Sequence, residues 1–215
     1  MEKNSLSFTK YSALQSPNTL ENETFLRDYS YITLYNTSGK SQFEHEHMIF
    51  ISNYFINKLL EATHIYIDGT FLFPDGFKQL IVILYRDENS GVRYPGLFAL
   101  INNSKYEGYK YLFEKIKFLL TLESSRNLNL VSYSIDFEKA LIKATTKVFN
   151  NIRQVGCFYH YCRNLREKAI DLGFRITGKN KEDTEFLNEF YKMPFIFYKN
   201  KNILEELKKK IFKTN

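Results

Sequence analysis

The chain has little of what a disulfide-built or membrane-spanning protein needs. Only two of its 215 residues are cysteine, which argues against a disulfide framework and favours a reducing compartment. No apolar run reaches the roughly 18 residues of a membrane-spanning helix. Residues 1–20 lack a basic start followed by an apolar stretch, so no signal peptide is predicted. We therefore expect a soluble intracellular protein with no membrane partner.

Positive charge is not in excess until the last third of the chain. Residues 1–60 carry 5 basic and 6 acidic side chains, residues 61–138 carry 8 and 10, and residues 139–215 carry 17 and 8, an excess of +9. A basic surface of this kind suits a nucleic-acid backbone, because each neutralised phosphate releases a counterion. A solvated lysine-rich helix would give the same count. The abundance of Asn, Lys, Ile, Tyr and Phe is also typical of an AT-rich genome, which adds lysine without a functional cause.

Hydrophobic periodicity predicts alternating helices and strands after a polar start. Spacings of three and four predict a helix over residues 41–62 and an amphipathic helix over residues 104–122. Runs of β-branched and aromatic residues predict strands, with a short β-like run over 29–35 and the main strands over 64–68, 78–85, 92–102, 130–136 and 154–158. Further helices are predicted over 137–149, 161–172, 183–191 and 202–213.

Two of the predicted strands end in aspartate. Asp68 closes the first main strand before Gly69, and Asp136 closes the fourth, sixty-eight residues later. A helix between the third and fourth strands is typical of a crossover, which lays the fourth strand parallel to the first. Neighbouring strands lie about 4.8 Å apart, so the two carboxylates would repel each other without a divalent cation. The pair therefore predicts a metal site, although Asp-Gly is also a common turn pair and Asp68 could serve only as a turn residue.

Several short motifs carry a resemblance to a known family. They are Ile67-Asp68-Gly69-Thr70-Phe71, Pro74, the segment 106–109, Asp136-Phe137-Glu138-Lys139-Ala140 with Ala144, and Gly156-Cys157-Phe158-Tyr159-His160. Their order and spacing are more specific than any one of them. Residues 64–172 resemble the transposase domain of Mutator-like elements, the MULE family, which belongs to the ribonuclease H-like integrases and transposases.

The resemblance implies a fold and a chemistry. The fold would be α/β, a ribonuclease H-like mixed sheet of five strands flanked by helices, with an N-terminal extension and a C-terminal helical segment. Asp68 and Asp136 would be the catalytic and metal-binding carboxylates of a DDE-type site that uses Mg2+ or Mn2+. The reaction would be phosphoryl transfer on DNA in the nucleus, in which one metal activates a water or a DNA 3'-hydroxyl and the other stabilises the leaving oxygen. DNA would then be the partner, with a homo-oligomer as a possible state and no small-molecule substrate.

The same resemblance suggests domain boundaries. Residues 1–60 would form an extension with a leading helix, residues 61–175 the ribonuclease H-like domain, and residues 176–215 a partial helical segment at the start of a truncated insertion. No glutamate of this sequence stands in the sequence context expected for the third acidic residue of the family. The available glutamates are also simply explained as solvated helix charges; they are Glu182, Glu185, Glu189, Glu205 and Glu206.

The missing glutamate leaves two functions open. The first is a transposase-type catalytic domain that is partial or decayed. The second is a transposase-derived protein that binds DNA or another partner without catalysis. Whether the chain is an enzyme is left open on this evidence.

Four residues near the aspartates are candidates for a supporting role. His160 could contact DNA or orient a carboxylate, or be a hydrogen-bonded structural histidine. Glu138 could support Asp136, or sit in the first turn of a helix because the helix dipole favours an acid there. Arg163 and Arg166 could hold phosphates.

Two cysteines flank His160 in a Cys-x2-His-x-Cys pattern, Cys157 and Cys162. A tetrahedral zinc needs a fourth ligand, and this spacing is tighter than that of a zinc finger. A small buried residue at the end of a strand accounts for Cys157 more simply. The sequence therefore favours no zinc site here.

Overall fold

The computed structural model describes residues 25–35, 41–70, 76–122, 128–176 and 181–195. They form a mixed α/β structure. By its internal contacts the chain divides into two compact units, Met1–Val155 and Gly156–Asn215. The helix predicted over residues 202–213 lies outside the described residues.

Seven strands and five α-helices are described. The strands are β1 Leu26–Tyr35, β2 Ser41–Phe50, β3 His64–Thr70, β4 Gln79–Arg86, β5 Arg93–Ile101, β6 Ser132–Ile135 and β7 Arg153–Gly156. The helices of the first unit are α1 Asn53–Glu61, α2 Tyr106–Leu122 and α3 Lys139–Val148. The second unit holds α4 Phe158–Asp171, α5 Lys181–Lys192 and a 3-10 turn, Met193–Phe195.

The strands form one mixed sheet in the order β1-β2-β5-β4-β3-β6-β7. The meander β3-β4-β5 is antiparallel, and β6 returns beside β3 in the parallel direction. All five strands predicted between residues 64 and 158 are present. The sheet nevertheless has seven strands rather than five, because β1 and β2 form a hairpin that joins it through β5.

The helix predicted over residues 41–62 is wrong for its first half. The segment contains β2 followed by α1, which begins only at Asn53. His45 and His47 are buried, while Glu44 and Glu46, which precede them, are more exposed. This period of two is that of a strand. The apolar residues alone have a helix-like spacing. The histidines complete the strand pattern, since their side chains join the core.

The core lies on one face of the sheet beneath α1, α2 and α3. Along the central strands alternate residues are buried, such as Ile65 and Ile67 on β3 or Ile81 and Ile83 on β4. The helices contribute the matching apolar residues to the same cluster, namely Ile56, Leu59 and Leu60 on α1, Leu112, Phe113 and Ile116 on α2, and Leu141, Ala144 and Val148 on α3. This packing fixes the face of β3 on which Ile65 and Ile67 lie, and the alternation of the strand places Asp68 on the other face.

A buried polar chain holds the β1–β2 hairpin against α2. His45 Nε2 lies 2.9 Å from His47 Nδ1, and His47 Nε2 lies 2.8 Å from Asp28 Oδ2. The other carboxylate oxygen, Asp28 Oδ1, lies 2.9 Å from Lys115 Nζ on α2. Both histidines are at most 1% exposed. This series of hydrogen-bonded side chains thus extends from the sheet interior to a lysine at the surface of α2.

We expect the stability of the protein to fall between pH 6.5 and pH 4. Burial lowers the pKa of His45 to about 4, and the neighbouring His47 adds to the shift. The unfolded chain binds a proton at this histidine below pH 6.5 while the folded chain does not, so stability is complete above pH 6.5 and is lost as the pH falls to about 4. The shift corresponds to about 3 kcal/mol. Urea unfolding followed by circular dichroism at several pH values measures it.

The variant His45→Gln distinguishes the contribution of this histidine to the pH dependence of stability from that of carboxylates that titrate in the same pH range. Its unfolding free energy should change less between pH 6.5 and pH 4 than that of the wild type. His64→Gln is the matched control, since burial also lowers the pKa of His64 but the ring is only half-buried. A wild-type pH slope retained in His45→Gln would contradict the assignment.

In the second unit, α4 and α5 form a small helical pair. Phe174, just after α4, stacks on Phe186 of α5 with ring centroids 5.2 Å apart, and the Tyr161 hydroxyl donates to the Phe190 carbonyl at 2.7 Å. No residue of α4 is buried, whereas Leu187 of α5 is. Among the helices of the described residues, none is long and apolar enough to cross a membrane.

Candidate functional site

The two aspartates come directly after the last paired residues of two neighbouring parallel strands, β3 and β6. His64 of β3 pairs with Ser132 of β6, and the register continues to Ile67 opposite Ile135. The next residue on each strand is Asp68 on one side and Asp136 on the other. Parallel strands lie about 4.8 Å apart, so the register brings the two carboxylate-bearing residues side by side. The predicted parallel pairing of these strands is therefore confirmed.

Each aspartate also bonds to the backbone that follows it. Asp68 Oδ1 accepts from the Gly69 N–H at 2.9 Å, and Asp136 Oδ1 accepts from the Phe137 N–H at 2.6 Å. Each contact holds one carboxylate against the peptide that follows it. The predicted strand end and turn at Asp68 are wrong, because β3 continues through Gly69 to Thr70 and both residues pair with β4.

His64 strengthens the strand pair that carries the aspartates. Its Nδ1 lies 2.6 Å from Ser132 Oγ and its Nε2 lies 2.9 Å from Ser134 Oγ. Burial lowers the pKa of His64, and the charges of Arg93 and Arg86 add to this shift. The ring therefore favours its neutral form, in which it links β3 to β6 by side chains as well as by the backbone.

A buried polar group beneath the site was not foreseen from the sequence. The Tyr109 hydroxyl of α2 lies 2.5 Å from Gln79 Oε1 and 2.8 Å from Glu138 Oε2. Gln79 is 1% exposed and Tyr109 is fully buried. The sequence placed Tyr109 on an apolar helix stripe and in the 106–109 segment of the family resemblance, with no role for its hydroxyl. The one available signal was a glutamine at the head of the apolar run of β4, where an uncharged polar residue is unusual.

The surroundings of Glu138 raise the pKa of its carboxyl group. Burial raises its pKa and the charge of Asp136 adds to the rise, while the hydrogen bond from Tyr109 opposes it. Burial likewise raises the pKa of Tyr109, and Glu138 adds to that shift. A hydroxyl has a single hydrogen to donate, which Gln79 Oε1 and Glu138 Oε2 share as acceptors.

Gly69 is required by the same group. An added Cβ at Gly69 would collide with Gln79 Nε2 and would crowd the Ile81 side chain. The glutamine amide therefore lies directly against the backbone that follows Asp68. This close approach explains a glycine inside a strand better than turn formation does, because Gly69 still pairs with Ile81 of β4.

The other predicted site residues lie in the second unit, on α4. His160 is half-buried, while Arg163 and Arg166 are exposed. Arg163 Nε bonds to Glu167 Oε1 at 2.8 Å, one turn further along the helix. The exposed aromatic rings Phe158 and Tyr159 begin the same helix. Basic and aromatic side chains thus lie together on α4, whereas Asp68, Asp136 and Glu138 lie in the first unit.

Among the residues that the structure describes, no third metal ligand accompanies the aspartates. Across the described ranges, no group of three or more His, Cys, Asp or Glu residues could hold a metal ion, and this includes the cysteine pattern around His160. Glu182 and Glu185 are exposed on α5, and Glu189 bonds to Lys192 at 2.7 Å. Glu205 and Glu206 lie outside the described residues. Two carboxylates in register are therefore the ligand set that the described chain offers.

Comparison with known proteins gives one family. The family model of the MULE transposase domain matches residues 64–164. The matched span begins at the first residue of β3 and ends within α4, so it contains both aspartates, Tyr109 and Glu138. No curated protein matches the chain.

Proposed function

We propose that the MULE transposase domain of residues 64–164 is a DNA strand-transfer or hydrolysis domain of the ribonuclease H-like type, with Asp68 and Asp136 as its metal-binding carboxylates. One observation carries the proposal: both aspartates follow paired positions of adjacent parallel strands within the matched span. The strand order β5-β4-β3-β6-β7 also supports it, since an antiparallel meander extended by a parallel strand, β6, fits the mixed sheet that the resemblance implies.

The residues present suit Mg2+ or Mn2+. These hard cations prefer carboxylate oxygens, and Asp68 in β3 and Asp136 just after β6 supply a carboxylate each on neighbouring strands. When bound, the metal would activate the attacking oxygen and stabilise the leaving oxygen of a DNA phosphodiester. The chain's own part is to hold the two carboxylates at a fixed spacing through β3, β6 and the backbone bonds at Gly69 and Phe137.

DNA is the proposed partner, in the nucleus. The exposed Arg163 and Arg166 on α4 support phosphate contacts, and the exposed ring of Tyr159 supports stacking on a base. His160 and Glu138 complete the proposed supporting residues. The excess of basic residues after residue 138 has the sign that such a partner requires.

Thermal unfolding in the presence of Mn2+ tests the metal site. At a free Mn2+ concentration ten times the Kd, the unfolding midpoint of the wild type should rise by about 3–6 °C, because only the folded site binds the ion. The double variant Asp68→Asn, Asp136→Asn should show no rise. A charge-matched control, Asp87→Asn, Asp171→Asn, should behave like the wild type. An equal response in wild type and site variant would refute the site.

A second candidate function is DNA binding without catalysis. It is favoured by the finding that two acidic ligands, not three, come together within the described part of the chain. A two-metal site with an incomplete ligand set loses most of its rate. The basic residues of α4 would then bind DNA. The affinity would fall with rising salt and would not depend on either aspartate.

A further inference from the structure

We infer that Gln79 and Tyr109 are positioning residues that brace the backbone after Asp68 against the backbone after Asp136. The inference deepens the proposed function, on which it rests for the use of the carboxylates. In this brace, Gln79 supports the strand backbone at Gly69, Glu138 belongs to the segment between Asp136 and α3, and Tyr109 joins them. No metal is needed for the brace to exist.

The first arm of the brace is the packing of Gln79 on Gly69. Gln79 opens β4, is 1% exposed and directs its Nε2 against the Gly69 backbone so closely that no Cβ fits between them. The Gly69 N–H is the group that donates to Asp68 Oδ1 at 2.9 Å. A shift of the glutamine amide therefore moves the peptide that orients the first carboxylate.

The second arm is the hydrogen bond between Tyr109 and Glu138. The hydroxyl lies 2.8 Å from Glu138 Oε2, and Glu138 precedes α3 as its N-cap residue without capping the helix through its own side chain. The Glu138 side chain is thus committed to Tyr109 rather than to the helix end. Asp136 stands two residues earlier in the same turn, with Oδ1 on the Phe137 N–H at 2.6 Å.

The hydroxyl of Tyr109 closes the link, 2.5 Å from Gln79 Oε1. A buried polar group is costly unless it is hydrogen-bonded, and an apolar residue at 79 or 109 would pack without that requirement. Here Gln79 and Tyr109 are buried, Glu138 is half-buried, and the three form a continuous path from Gly69 to Glu138. Since a bound cation requires ligand oxygens at a narrow spacing, such a path would keep that spacing when the site is empty.

Amide hydrogen exchange of the metal-free protein tests the brace directly. Tyr109→Phe removes the hydroxyl and keeps the ring, so the Gly69 and Phe137 amides should both exchange about five- to tenfold faster, as expected for the loss of one hydrogen bond. Tyr133→Phe is the matched control, because Tyr133 is also fully buried and its hydroxyl donates to a glutamine oxygen, Gln154 Oε1, at 3.1 Å.

The outcomes are distinct. Faster exchange of both amides in Tyr109→Phe but not in Tyr133→Phe supports the brace. Equal effects of the two variants would show a merely structural role and overturn it, as would a response of the Phe137 amide alone. The result does not depend on metal binding, so it decides the brace even if the wild type fails to bind Mn2+, a failure that would count against the proposed function only.

A second measurement connects the brace to the ligands. In a wild type that binds Mn2+, Tyr109→Phe should weaken the Kd about 10- to 100-fold by calorimetric titration, the usual cost of losing a group that orients a ligand. Gly69→Ala should weaken it too, since the added methyl displaces Gln79. An Mn2+ affinity unchanged in both variants would overturn the inference that the brace sets carboxylate spacing.

Discussion

Replacing Asp136 with asparagine should lower Mn2+-dependent nicking of supercoiled plasmid by more than about 100-fold. Loss of a group that merely orients a metal ligand costs 10- to 100-fold, and loss of the ligand costs more. Asp68→Asn should give a similar loss, because the two residues follow paired positions of β3 and β6. Combining the two should add little, since residues that act as one unit are not additive. Gel analysis of single-turnover reactions measures the rates.

The same variants separate catalysis from DNA binding. Asp87→Asn, in the exposed turn before β5, should leave the nicking rate unchanged because its carboxylate accepts hydrogen bonds within its own turn, from the Ser90 N–H and the Ser90 hydroxyl. Binding of a short duplex by the aspartate variants should persist and weaken with rising salt. Nicking that survives Asp136→Asn would refute the catalytic assignment. Binding with no nicking in the wild type would favour the second candidate function.

Asp28→Ala should destabilise the protein by about 3 kcal/mol, because removing one partner of a buried ion pair leaves the other charge or dipole unpaired. Burial pushes the pKa of Asp28 upward, but the hydrogen bonds from His47 and Lys115 outweigh burial and keep the pKa below its usual value. The aspartate is therefore ionised, and its loss removes the contact to both His47 Nε2 and Lys115 Nζ. Urea unfolding at pH 7 measures the loss.

Glu61→Ala is the control, because Glu61 is a carboxylate that is exposed to solvent. Its contact to Lys58 is 4.0 Å long and lies at the surface, where such pairs contribute between zero and about 1 kcal/mol. An Asp28→Ala variant as stable as Glu61→Ala would show that the hairpin does not depend on the buried chain. A loss confined to the hairpin would appear as faster amide exchange of β1 and β2 only.

The aspartate pair could be predicted from the sequence because its causes are local. Each aspartate follows a short β-branched or aromatic run, and the helical stripe of α2 between the strands forces a crossover. Those two patterns place β6 parallel to β3. Register then follows from burial, since Ile67 and Ile135 must face the same core.

The hairpin and the brace could not be predicted because their causes are not local. His45 and His47 count as polar until the structure shows that Asp28 and Lys115 satisfy them, and only then does β2 show the alternation of a strand. Tyr109 fits an apolar stripe equally well as tyrosine or phenylalanine. Its hydroxyl acquires a role only when Gln79 and Glu138, distant in sequence, meet it in the fold.

The parallel pairing of β3 with β6 frees the intervening chain from any length constraint. The carboxylate spacing depends on which residues face each other across two strands, not on the sixty-eight positions that separate Asp68 from Asp136 along the polypeptide. Residues can be gained or lost in the loop before β5 at no cost to that spacing. A single-residue deletion inside β6, in contrast, turns Asp136 to the opposite face. Insertions and deletions are therefore tolerated in the connecting loops. They disrupt the carboxylate pair when they fall within the four codons of β6, Ser132–Ile135.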